Sequence, residues 1–333
     1  MKTLFKTNLL LIAVMAFVVS LASCQDSKWN TDIDSTYKKA LKGKKDVILL
    51  FTADWTDENS NVLEEIFCKK EFTKKYSKKY LFANVTLLQQ DFITMELGEN
   101  ATQEQIDAAQ KLQAEYEKKN EMVQNYSVKN FPDLFIVSGE GYVLSHVEFD
   151  QEKWTEELVD EKISQAEKES EELKNLLLEV RSTKGVEKAK AIDKFVNTSP
   201  KQYNTCLKDL ILEYSSLDPE NQTGLLGSYE LGAAYYISFD AITAGEDPSV
   251  AFIDAINANH MTKLQQQEAY YMASYSLANS QIPDYERIYE YLQKAYDIDP
   301  QSEYAPEIST ALESIKKYNE AVENVTKEAE TEQ

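Results

Sequence analysis

The chain has 333 residues, 57 of them acidic against 35 basic, and a formal net charge of −22. So large an excess of carboxylates excludes nucleic-acid binding through phosphate neutralisation; it favours solubility without specifying a fold. With 43% hydrophobic residues, nine Gly and seven Pro, there is material for a substantial core but too few turn residues for an all-β architecture, and the length suits about two domains.

Lys2 and Lys6 precede an apolar run, Leu9 to Val19, that ends in small residues. A membrane-spanning helix needs about 20 apolar residues, so residues 1–23 are expected to be a cleaved signal peptide. The run closes with Leu21-Ala22-Ser23-Cys24, which resembles the lipobox of bacterial lipoproteins. That resemblance implies lipidation of the Cys24 thiol and cleavage that makes Cys24 the new N-terminus. Each buried CH₂ adds about 0.8 kcal/mol of membrane affinity, and a single chain holds only weakly; the two or three chains of a bacterial lipoprotein would hold stably. The expected location is the cell envelope, on the outer membrane in preference to the inner, facing the periplasm or the cell surface. Cleavage removes two lysines and no acids, so the acyl anchor rather than a basic patch is expected to hold the chain at an anionic membrane.

Residues 24–30 form a short polar tether. From Thr31 to Gly43, Ile33, Tyr37, Ala40 and Leu41 fall on one face at helical period. Val47-Ile48-Leu49-Leu50-Phe51 is a continuous apolar run of strand length, suited to burial on both faces. After Asp54-Trp55-Thr56 comes a helical stretch with Val62, Leu63, Ile66 and Phe67 on one side, then a strand over Leu81–Leu87. Residues 102–125 predict a long charged helix. Leu134–Val137 and Tyr142–Val147 predict strands flanking a turn at Gly139-Glu140-Gly141. A further helix starts near Glu152. The order β, α, β, α, β, β, α predicts an α/β domain over residues 31–168.

Beyond about residue 170 helical faces follow one another, separated by Ser199-Pro200, Asp218-Pro219, Asp247-Pro248 and Asp299-Pro300. Ala234-Tyr235-Tyr236 recurs as Ala269-Tyr270-Tyr271. The stretch Tyr289 to Pro300 resembles the second helix of a tetratricopeptide repeat with its terminal proline. Residues 169–322 are therefore expected to be an all-α, helical-repeat domain, with a charged, disordered tail over 323–333. Tyrosines concentrate in the repeat-like region, where they either fill seams between helices or line a binding groove.

Within the first domain, the strand Val47–Phe51, then Ala53-Asp54-Trp55, then Leu63-Glu64-Glu65-Ile66-Phe67 on a helix resembles thioredoxin-like domains of bacterial envelope proteins. In that family the tryptophan is followed by Cys-x-x-Cys. Asn130-Phe131-Pro132-Asp133 resembles the family's proline loop, which implies a cis bond at Pro132 opposite the active site. The implied fold is a mixed sheet flanked by helices. Aligned on Trp55, the two cysteine positions hold Thr56 and Asn59. Disulfide exchange needs a thiolate and a second, resolving thiol, and a threonine hydroxyl supplies neither. Thr56 instead suits a helix N-cap, with Asp57 and Glu58 in the first turn where carboxylates complement the dipole and would repel a thiolate.

Two thiols besides Cys24 occur, Cys68 and Cys206. This is not a disulfide scaffold. Cys68, flanked by Lys69 and Lys70, is a small half-buried residue, a disulfide partner of Cys206 or a reactive thiol. His146 and His260 lack the spacing of a zinc site, the acidic clusters lack a calcium-loop pattern, and no phosphate loop or nucleophile elbow occurs; neither metal nor cofactor is expected. The function expected is a membrane-anchored, redox-inactive interaction or scaffold protein with a protein partner in the envelope. The alternative is a thiol-disulfide oxidoreductase using Cys68 or a partner's thiol.

Overall fold

The computed structural model describes residues 28–55, 58–95, 101–149 and 154–331, with the side chains of residues 58–61, 90, 93–94, 319–320 and 322–331 left aside. The signal segment, Cys24 and Thr56 lie outside the described residues. By its contacts the chain divides into two compact units, residues 1–178 with 195–207, and residues 179–194 with 208–333.

The first unit is built on a four-stranded sheet. Helix α1 (Ile33–Gly43) starts where the Asp32 carboxylate accepts from the Ser35 N–H at 3.0 Å, and buries Ile33, Thr36 and Ala40. Strand β1 (Asp46–Ala53) is buried from its second residue onward, as its continuous apolar run requires. Helices α2 (Glu58–Cys68) and α3 (Lys70–Tyr76) carry the chain across to β2 (Tyr80–Leu87), which pairs parallel to β1 with Asp46 opposite Tyr80 and Ala53 opposite Leu87. Helices α4 (Gln89–Met95) and α5 (Gln103–Asn125) then lead to the hairpin β3 (Asp133–Val137) and β4 (Val143–Val147). β3 lies antiparallel to β1 and β4 antiparallel to β3, giving the order β2-β1-β3-β4. Val47, Leu49, Phe51, Ala83, Val85, Phe135 and Val137 form one core cluster with Ala40 and Tyr126.

Two stretches depart from the sequence expectation. The segment 24–30, read as a tether, is structured at its end. The Trp29 indole donates to the Phe67 carbonyl at 2.9 Å and stacks on Phe72, while Asn30 bridges Ala83 in parallel at the outer edge of β2. One large ring in a polar run finds an apolar socket that composition does not register. The first unit also extends past residue 168. Helix α6 (Glu156–Glu169) is followed by α7 (Glu171–Ser182) and α8 (Gly185–Thr198), and the chain then returns in a 3-10 helix, Lys201–Leu207. There Tyr203 sets its ring edge-on to Phe135, Cys206 donates to the Asn125 carbonyl and the Ser127 hydroxyl donates to that of Gln202.

The second unit is all-helical: α9 (Lys208–Leu217), α10 (Leu226–Ala244), α11 (Val250–Asn257), α12 (Lys263–Ala278), α13 (Tyr285–Ile298) and α14 (Ala305–Thr331). Each packs on the next in sequence. Pro219, Pro248 and Pro300 fall between helices, where a missing N–H and fixed φ are tolerated. The last helix runs to Thr331, into the stretch read as a disordered tail; Ala, Glu and Lys in that stretch are good helix formers, and no Gly or Pro interrupts them. Arg287 ties α13 to the turn between α10 and α11, donating to Asp247 at 2.6 Å and to the Ser249 hydroxyl at 2.8 Å.

Candidate functional site

The end of β1 sets the site. Asp54 donates its N–H to the Leu87 carbonyl at 3.2 Å and accepts from the Gln89 N–H at 2.8 Å, which fixes the turn against the start of α4. The next residue, Trp55, is 46% exposed. Its ring meets Phe92 of α4 edge-on at 5.9 Å and Phe131 at 6.1 Å; Phe92 in turn rests on Tyr116 of α5 at 4.8 Å. Such edge-to-face pairs hold aromatic rings in fixed orientations, so Trp55 is a supported platform rather than a loose side chain. The Phe131–Pro132 peptide bond is cis, and Phe131 thereby joins the proline loop to Trp55.

Behind the proline, Asp133 is buried and accepts from the Leu134 N–H at 3.0 Å. Its carboxylate lies 2.6 Å from His146 Nε2, and the imidazole stacks on Phe135 at 4.6 Å. Burial raises the Asp133 carboxyl, while the hydrogen bond and charge of His146 oppose the rise. This pair braces the β3–β4 hairpin. His260 makes a similar local contact in the helical unit, 2.9 Å from Glu230.

Of the residues the sequence singles out, the structure sets Trp55 against Phe131, the residue before Pro132. Thr56 lies outside the described residues, and Asn59 falls in the first turn of α2. Cys68 closes the same helix, about 14 Å farther along at 1.5 Å per residue. Cys206 is free and half-buried against the core, so the two do not pair, and burial pushes its thiol up to about 12. A thiol so protonated at neutral pH is a poor nucleophile.

Sequence reasoning missed Phe92 and Phe131 as partners of Trp55, and it missed Glu64. Glu64 shares a helix face with Phe67, and its Oε1 is buried with no hydrogen-bond partner. Burial, with the charge of Asp54 added, pushes its carboxyl up to about 7 from 4.5. An acid raised on folding binds its proton more tightly in the fold than in the unfolded chain. It therefore costs nothing below about pH 4.5, destabilises progressively up to about 7, and costs its full amount above that. Allowing for solvent at a partly exposed group, Glu64→Gln is expected to stabilise by about 1–2 kcal/mol at pH 8 and by much less at pH 5. Urea unfolding of both chains at the two pH values measures this; an equal gain at both would refute the assignment.

Among the described residues no group of three or more His, Cys, Asp or Glu is arranged to hold a metal, and no helix is long and apolar enough to cross a membrane. Among the tyrosines of the helical unit, Tyr214 stacks on Tyr229, whose hydroxyl donates to Asp193, and Tyr271 donates to Glu307, while Tyr235, Tyr275, Tyr285 and Tyr289 are exposed.

Comparison with known proteins places this geometry. Residues 33–158 match the family described as a thioredoxin-like domain, and residues 225–321 match one described as an uncharacterised protein C-terminal domain. Among solved structures, one titled DsbH Oxidoreductase is 20% identical over 42% of this chain and 83% of that one, with a TM-score of 0.31. No curated protein matches the chain. The protein is a thioredoxin-like α/β domain with a mixed four-stranded sheet, followed by an all-helical region.

Proposed function

We propose that this protein is a lipid-anchored envelope protein that binds other proteins and does not exchange disulfides. The observation that carries the reading is Trp55: an exposed ring, held edge-on by Phe92 and Phe131 beside cis Pro132, followed by Thr56-Asp57-Glu58-Asn59 and no cysteine. The place where a thioredoxin-like domain meets its substrate is kept as an aromatic surface, while the nucleophile is replaced. Exposed, rigid aromatic rings are the residues most often found at the centre of protein interfaces. The helical unit, read as tetratricopeptide-like, would supply a second binding surface of the kind stacked hairpins form. Cys24 would carry the acyl chains.

Three measurements test this. The lipidated chain is expected to partition into detergent and Cys24→Ser to leave it, with the mass difference of the acyl groups. Insulin is expected to stay unreduced in the presence of the wild-type chain; turnover that Cys68→Ser abolishes would establish the oxidoreductase alternative instead. A photo-crosslinking residue at position 55 is expected to capture a defined envelope protein in intact cells, where the same residue at exposed position 111 of α5 does not. Equal products from both positions would remove the support for a binding platform at Trp55.

A further inference from the structure

Among the described residues there is a concave basic surface that the chain's overall acidity conceals. A cleft of about 590 Å³ opens at the N-terminal ends of β1 and β2, lined by Lys44, Lys45, Lys78, Lys79, Lys168 and Lys174 together with Asp46, Glu167 and Glu171. Two of the lysines are neutralised, Lys79 by Glu167 at 2.8 Å and Lys174 by Asp46 at 3.0 Å. Lys45 donates to the Ser77 carbonyl at 2.7 Å and keeps its charge. Lys44, Lys45, Lys78 and Lys168 therefore face Glu171 alone, four cations against one carboxylate, on a protein whose formal net charge is −22.

The position of this cleft says what it meets. Asn30 bridges Ala83 in the parallel sense, so Lys28 and Trp29 lead back in the direction of the start of β2, where Lys78 and Lys79 lie. The extended reach from Cys24 to Asn30 is at most about 20 Å. An acyl chain on Cys24 would therefore lie within reach of this pole of the sheet. We infer that the lysine cleft seats the phosphate headgroups of an anionic lipid surface and thereby orients the protein, leaving Trp55 facing away. The inference rests on the lipid-anchor reading for its geometry. It replaces the expectation that the anchor alone makes the membrane contact. A lysine near an anionic leaflet contributes about 1 kcal/mol, with a reach of about a Debye length. Three unpaired lysines so placed are enough to choose one orientation for a chain already tethered.

The test is amine labelling of the lipidated full chain, after intact mass has shown that it is acylated. In vesicles containing phosphatidylglycerol, Lys44, Lys78 and Lys168 are expected to react about fivefold more slowly than in pure phosphatidylcholine vesicles, the factor that about 1 kcal/mol per lysine implies. Lys111, on exposed α5, is expected to react equally in both, and high salt is expected to abolish the difference. Equal labelling of the three lysines in both vesicles would overturn the inference. Protection by millimolar inorganic phosphate without vesicles would also overturn it, by assigning the cleft to a soluble anion. Should the mass show no acylation, the anchor reading fails separately. Co-sedimentation of the chain with phosphatidylglycerol vesicles at low salt, lost in Lys44→Glu/Lys78→Glu/Lys168→Glu, would then support the cleft's assignment, and no sedimentation would overturn it.

Discussion

A chain carrying Thr56→Cys together with Asn59→Cys is expected to reduce insulin, and the wild-type chain is expected not to. The surrounding fold is that of an exchange site: β1 ends at Ala53, two residues before Trp55, α2 starts at Glu58, and Phe131 brings the cis proline loop against the tryptophan. What the natural sequence withholds is the thiol pair, and with it the nucleophile and the resolving group that exchange requires. The restored activity is expected to be low, because Asp57 and Glu58 flank the first thiol and their charge opposes its ionisation, working against the helix N-terminus. Adding Asp57→Asn and Glu58→Gln is expected to raise the rate at pH 7 by about threefold to tenfold, the gain in thiolate being partly offset by lower nucleophilicity. Turnover of insulin with dithiothreitol, measured on the three chains, reads the series. A cysteine pair that forms and stays inert, with the acids neutralised, would mean that the surface around Trp55 no longer has the geometry of an exchange site.

How far the sequence discloses this arrangement depends on whether a feature is local. β1 and β3 are legible because Val47–Phe51 and Leu134–Val137 are unbroken apolar runs, and such runs fit only strands buried on both faces. The long α5 is legible from its charged periodicity and from the Thr102–Gln105 capping box that starts it. Helices α3 and α4 are not, since each spans seven residues and neither shows two full turns of an apolar face. The return of Lys201–Leu207 to the first unit is a tertiary event: Tyr203 and Cys206 look like any residues between two helices until Phe135 and Asn125 are beside them. The candidate site divides in the same way. Trp55 and Pro132 stand in motifs and could be named, whereas Phe92 and Phe131 gain their meaning only by meeting Trp55 in space. Glu64 is the sharpest omission. Its carboxyl reads as one more acid in Leu63-Glu64-Glu65-Ile66, and only burial beside Asp54 separates it from the exposed Glu65.

In the helical unit, Gly227→Ala is expected to cost about 3 kcal/mol or more, although it replaces the poorer helix former with the best. On propensity alone the change would stabilise α10 by about 1 kcal/mol. A Cβ at Gly227, however, would lie 2.5 Å from the carbonyl oxygen of His260, 2.8 Å from its carbon and 2.9 Å from the Cα of Met261. These are backbone atoms, so no rotamer change relieves the overlap, and the segment leading into α12 would have to move. It is held from both sides. The Gln265 amide donates to the Ser228 hydroxyl at 2.7 Å, the next residue along α10, and His260 lies 2.9 Å from Glu230 on the following turn. Thr262 and Gln265 also close the capping box of α12, while Met261 is buried. Displacing the loop therefore strains several contacts at once, which places the cost at the upper end of overpacking substitutions. Gly232 supplies the internal comparison, since a Cβ there would meet only the Ile211 side chain, at 3.4 Å. Gly232→Ala is expected to be neutral or to stabilise by about 0.5–1 kcal/mol through helix propensity and a less flexible unfolded chain. Urea unfolding followed at the helical signal separates the two, and equal effects from both substitutions would refute the close crossing of α10 with the His260–Met261 backbone.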